Sequence, residues 1–122
     1  MSIEYSVDES RNVVLVTVRG TVNDHEFLDY VRQFHNDNRI RPGYRELVDA
    51  TAASPGVIRA ELFDQIAELD RQRPEMLPRA KTAIVVSSGE AFELARQYES
   101  KAQMPVTVFS SLDVARIWLG IN

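Results

Sequence analysis

The stretch LVDATAASPGVIRAEL, residues 47–62, decides how this chain is read. An apolar start at Leu47 and Val48 gives way to a segment bearing Thr51 and Ser54, and a helix-compatible pattern follows. We expect a short central strand, RELVDA, and a helix that starts at Ser54-Pro55, since serine is a favoured cap and proline fits the first helical position. Ile58, Leu62, Ile66 and Leu69 give that helix an apolar stripe, and it must end before Pro74. The joint between strand and helix is then a switch, a ligand cradle or only a turn.

Working outward, IEYSV (3–7) and NVVLVTV (12–18) are β-rich runs joined by polar DESRN, the pattern of an antiparallel pair. The second run ends at Gly20. From Asn23 the period becomes helical, with Phe27, Leu28, Val31 and Phe34 on one side and Asn23 and Glu26 at capping-box spacing. This helix should stop near Asn38. Beyond Pro74 and Pro78, KTAIVVS is apolar on both faces, as a strand inside a parallel sheet should be. Ser87 and Glu90 form a second capping box, opening a helix with Phe92, Ala95, Tyr98 and Ala102 at helical spacing. PVTVF is the last strand. Ser110 or Ser111 caps a final helix with Val114, Ile117 and Trp118 inward, and Gly120 closes it with Ile121 available for the accompanying contact.

The order β-β-α-β-α-β-α-β-α predicts an α/β fold, one domain over residues 1–122 with a mixed, mostly parallel five-stranded sheet and four helices. Short joints between alternating strands and helices require parallel pairing through right-handed crossovers. No linker or repeat interrupts the pattern.

Composition removes several function classes. The chain has 122 residues, a formal net charge of -4 and no cysteine. Disulfides, thiolate metal sites and cysteine nucleophiles are thereby excluded, and a reducing, cytoplasmic setting suits the chain. The net acidity argues against a general nucleic-acid binder, which neutralises phosphates with a basic surface. No apolar run approaches the roughly 20 residues of a transmembrane segment, and the first ten residues lack a leader pattern.

Candidate chemistry is sparse. His25 and His35 lie on one helix but point about 80 degrees apart at roughly 100 degrees per residue, so they share no metal-ligand face. Both are expected at the surface. Asp64 and Glu68 share a helix face that reads as solvated. Neither GxGxxG nor GxxxxGK[ST] occurs, and we expect no catalytic residue, no metal and no cofactor. In open α/β sheets ligands gather outside the strand C-terminal ends, here around Asp49, Thr51, Ser54, Ser87 and Ser88. Those residues are the candidate regulatory or ligand-binding set. Arginines outnumber lysines twelve to two, and Arg39, Arg41 and Arg45 around Pro42-Gly43 either grip an anion or flank a turn, pairing with Asp37 or Glu46.

RPGYRELVDAT after the first helix, AIVV before the third and the closing VFSSLDVARIWLGI resemble the SpoIIAA-like group of the STAS superfamily over nearly the whole chain. The resemblance implies a non-enzymatic domain that binds a protein partner, in some members a kinase that switches it off by phosphorylating a serine at the second helix start. Asp49 matches the aspartate ending the family's central strand, but PGVIRA stands where a DSSG-type signature is expected, leaving only Thr51 and Ser54 as nearby hydroxyls. The wider family is sometimes grouped with lipid-binding Sec14-type domains; at this length we expect no enclosed lipid cavity, and a shallow apolar groove stays open as an alternative.

In the superhelical arrangement the resemblance implies, most helices cover one sheet face. The other needs either a helix folded across it or a second copy of the chain, and a homodimer is expected. The leading function is a regulatory or protein-interaction module with an unknown partner. The alternative is a binder of a small anionic or amphipathic, lipid-like ligand at the strand ends.

Overall fold

The computed structural model describes residues 2–56 and 58–122. Five strands form one sheet in sequential order: β1 (Ile3–Asp8), β2 (Val13–Val22), β3 (Arg45–Pro55), β4 (Lys81–Val85) and β5 (Val106–Phe109). β1 pairs antiparallel with β2, and every later pair is parallel. Four helices are interspersed: α1 (Asp24–His35), α2 (Glu61–Arg71), α3 (Gly89–Lys101) and α4 (Leu112–Leu119). The expected mixed, mostly parallel α/β fold is the one observed.

Because the strands advance in one direction, right-handed crossovers place α1, α2 and α3 on the same face. Val14, Val16, Val18 and Val22 of β2 pack on that side with Phe34 of α1. The opposite face carries Val13, Leu47, Ala83 and Val85, and α4 folds back over them through Ala115 and Leu119. Alternation along β2 and β4 serves both layers, which is why these strands read as continuous apolar runs.

Local signals set the helix ends. Asn23 and Ser111 accept hydrogen bonds from Glu26 N and Val114 N, capping α1 and α4. α1 ends at His35, three residues before the expected stop, with Asn36 closing it through backbone hydrogen bonds. Ser88, one residue later than expected, caps α3 by accepting from Ala91 N. Gly120 takes φ 72°, the left-handed conformation that ends α4, and Ile121 N then reaches Arg116 O.

Two expectations fail. β3 does not hand over to a helix at Ser54: it runs on through Pro55, paired with Val22, and α2 begins at Glu61 behind Ala60 without a side-chain cap. The cause is a bulge, in which Ala50 and Thr51 of β3 face Val18 alone across β2, so the strand keeps pairing for four more residues. Gly56 then passes so close to β2 that a Cβ there would stand 2.8 Å from Val22 O. Val57, inside the opening stretch, lies outside the described residues. On α4, Val114 and Ile117 point outward, 51% and 63% exposed, because Ala115 and Leu119 take the sheet-facing side and Trp118 lies half-buried.

Candidate functional site

Between the sheet and α1, α2 and α3 lies a cavity of about 150 Å³. Its body is apolar: Val16 and Val48 of the sheet, Phe27 and Val31 of α1, Ile66 of α2 and Leu94 of α3 are among its walls. An apolar cavity of this size holds a molecule such as benzene. The cavity is far smaller than a lipid chain needs, in keeping with the expectation of no enclosed lipid cavity, but it reaches beneath the helices and is more than a surface groove. Three crossover helices standing over one face of a five-stranded sheet leave room at their common centre, where Ala50, Ala53, Ala91 and Ala95 are too small to fill it.

One end of the cavity is polar. Glu46, near the start of β3, is 8% exposed and accepts hydrogen bonds from the Tyr30 hydroxyl and, at 2.8 Å, from the Thr82 hydroxyl. Burial, above all, pushes its carboxyl above the ordinary glutamate value, and the nearby Asp70 charge adds to this, while the hydrogen bonds from Tyr30 and Thr82 oppose it. The Tyr30 phenol is pushed up in turn, by burial and then by Glu46. His35 Nε2 and Asp70 Oδ1 meet at 2.9 Å where the C-terminal turns of α1 and α2 converge. Their side chains are only 11% and 6% exposed. His35 is thus a buried member of the cavity wall rather than the surface residue expected, held by a carboxylate from a different helix.

These polar residues follow from the periodicities that build the core. Glu46 shares strand parity with Val48 and Ala50, and Thr82 with Ile84, so alternation turns both inward. Asp70 continues the Leu62, Ile66 stripe of α2, and His35 the Leu28, Val31 stripe of α1. A titratable residue on an apolar stripe was the available signal.

The residues singled out at the strand ends behave differently. Asp49 Oδ1 accepts from Thr51 N at 3.1 Å and from the Thr51 hydroxyl at 2.7 Å, bracing the bulge. Ser87 donates to Thr51 O at 2.7 Å, tying the β4–α3 joint to the same point. Ser88 caps α3. Ser54 alone of the five lines the cavity, and since it is also exposed it marks where the cavity meets solvent. Ile58 lines the same region, and Asp24 of α1 accepts from Arg59 N at 3.3 Å, fastening this lip to the α1 N-terminus.

The three arginines are engaged with the protein. Arg39 forks onto Asp37 at 2.9 and 2.7 Å, and its guanidinium holds the Asp37 carboxyl well below the usual range. Arg41 donates to Glu9 O at 2.7 Å. Arg45 donates to Leu119 O and Gly120 O at 3.2 Å and to Arg11 O at 3.1 Å, binding the α4 terminus to the sheet. Glu46 takes no arginine partner in these bonds.

Asp64 is exposed and pairs with Lys101, and Glu68 with Arg71, as on a solvated face. Among the described residues no group of three or more His, Cys, Asp or Glu is placed to hold a metal ion. No helix among them is long and apolar enough to cross a membrane.

This sheet order and helix placement match a solved structure. The chain is similar to an uncharacterized protein of the DUF3478 family with a SpoIIAA-like fold from Shewanella loihica PV-4, with a TM-score of 0.63 and 14% identity over 97% of this chain and 94% of that one. The chain therefore has a SpoIIAA-like fold. No protein-family model and no curated protein matches it.

Proposed function

We propose that the chain is a non-enzymatic binding domain that takes a small amphipathic molecule into the cavity beneath α1, α2 and α3. The observation that carries this reading is an apolar cavity of about 150 Å³ with buried polar groups gathered at one end and an exposed residue, Ser54, at its margin. Pockets built this way, largely apolar with a few fixed polar groups, are the usual form of small-molecule sites. The ligand enters beside Ser54 and Ile58 and not as an anion cradled on the strand-end hydroxyls. Native mass spectrometry of the protein isolated from its own cells should show a non-covalent small-molecule adduct. Ala50→Leu, which fills the cavity, should carry none while melting cooperatively; a bare wild-type mass would count against the reading.

A second reading, the regulatory or protein-interaction module with self-association, is favoured by the exposed Val114 and Ile117 of α4. Sedimentation of wild type and Ile117→Glu separates it from the first: a wild-type dimer lost in the variant supports a protein-contacting α4, and a monomer in both removes self-association through it.

A further inference from the structure

Two atoms at the polar end of the cavity have no partner among the described residues: Asp70 Oδ2 and His35 Nδ1 are buried without a hydrogen bond. Asp70 as a residue is 4% exposed, so its carboxyl faces the cavity side of the fold and not the outer surface. His35 Nε2 faces Asp70 Oδ1, which leaves Nδ1 to accept from a ligand in one protonation state of the ring and to donate to it in the other. Asp70 Oδ2 asks for a donor, and a hydroxyl, which both donates and accepts, satisfies His35 Nδ1 in either state. A buried acceptor left in this state costs free energy that a donating ligand would recover.

The neighbouring groups narrow the ligand further. Glu46 places a second carboxyl at this end, its two oxygens already bonded to Tyr30 and Thr82. Tyr44 and Tyr98 also line the cavity, and both phenols are pushed up, first by burial and then by the Glu46 and Asp70 carboxyls. A carboxylate or phosphate entering here would meet the buried Asp70 carboxyl in a poorly hydrated space. A neutral hydroxyl meets no such opposition. It can donate to Asp70 Oδ2 and accept from a tyrosine.

We infer that the ligand is a small apolar alcohol or phenol, with its hydroxyl at the His35–Asp70 pair and its hydrocarbon body among Val31, Ile66 and Leu94, and that acids of the same shape are rejected. This rests on the cavity-binding reading and specifies its chemistry.

The test uses three probes with one ring and different substituents: toluene, benzyl alcohol and benzoate, titrated into the full chain near neutral pH and followed by calorimetry and melting temperature. Benzyl alcohol should bind about tenfold more tightly than toluene, one net hydrogen bond's worth, and benzoate should not raise the melting temperature. Equal binding of toluene and benzyl alcohol, or tightest binding by benzoate, would overturn the alcohol assignment while leaving the cavity reading intact. Failure of all three to bind would overturn both. Asp70→Asn, which keeps the shape of the site and removes its charge, should narrow the gap between benzyl alcohol and benzoate; an unchanged gap contradicts the role given to Asp70.

Discussion

The hydroxyl of Tyr30, on α1, donates to the carboxyl of Glu46, on β3, across the polar end of the cavity. A helix and the central strand are thus joined through a carboxyl that burial holds protonated to higher pH than in the unfolded chain. The sign follows from linkage. A raised folded value means that Glu46 contributes stability fully below about the ordinary value of 4.5, and that this contribution is lost as pH rises through the folded value. Glu46→Gln keeps an acceptor for one hydroxyl and cannot ionise. In urea unfolding across a pH series, wild type should lose stability relative to Glu46→Gln as pH rises above about 4.5. A difference independent of pH would contradict the assignment.

Ser54 and Ser88 separate a cap from a cavity lip. Ser88 accepts from Ala91 N at the start of α3, whereas Ser54 lies in β3, seven residues before α2 begins. Ser88→Ala should cost about 1 kcal/mol, a typical loss for a helix cap. Ser54→Ala should change stability by less than about 0.5 kcal/mol, as for other exposed positions. Equal losses in urea titrations would return Ser54 to a capping role.

Arg45 should behave as a structural tie. It reaches three backbone carbonyls, on Arg11, Leu119 and Gly120, which a lysine ammonium cannot span in the same way. Arg45→Lys should destabilise by about 1–2 kcal/mol, in line with lost hydrogen bonds to a charged donor. It should also speed hydrogen exchange at Gly120 and Ile121, whose amides close α4. Phosphate should not stabilise the wild type over Arg45→Lys by any further amount; such added stabilisation would revive an anion-gripping role.

The fold was legible because two periods dominate it. NVVLVTV and KTAIVVS alternate between two covered faces, and the Asn23 and Ser111 caps lie where short polar residues precede apolar stripes. The start of α2 was not legible, because the bulge at Ala50–Thr51 depends on pairing with β2 and leaves no local mark beyond Gly56. The cavity was hidden for a related reason: it exists only where α1, α2 and α3 converge, and no single window contains more than one of its walls. Glu46, Asp70 and His35 were each visible as a charge or an imidazole on an apolar stripe. Their meeting was not, since it joins positions 35, 46 and 70 through tertiary contact alone.

The central claim is that this cavity, and no surface patch, receives the ligand. Isotope-filtered NOE spectroscopy of the labelled chain with benzyl alcohol tests it most directly. The account predicts NOEs from the ring to methyl groups of Val31, Ile66 and Leu94, which line the cavity from three different helices. NOEs confined to Val114 and Ile117 on the outer side of α4, or none at all, would contradict it.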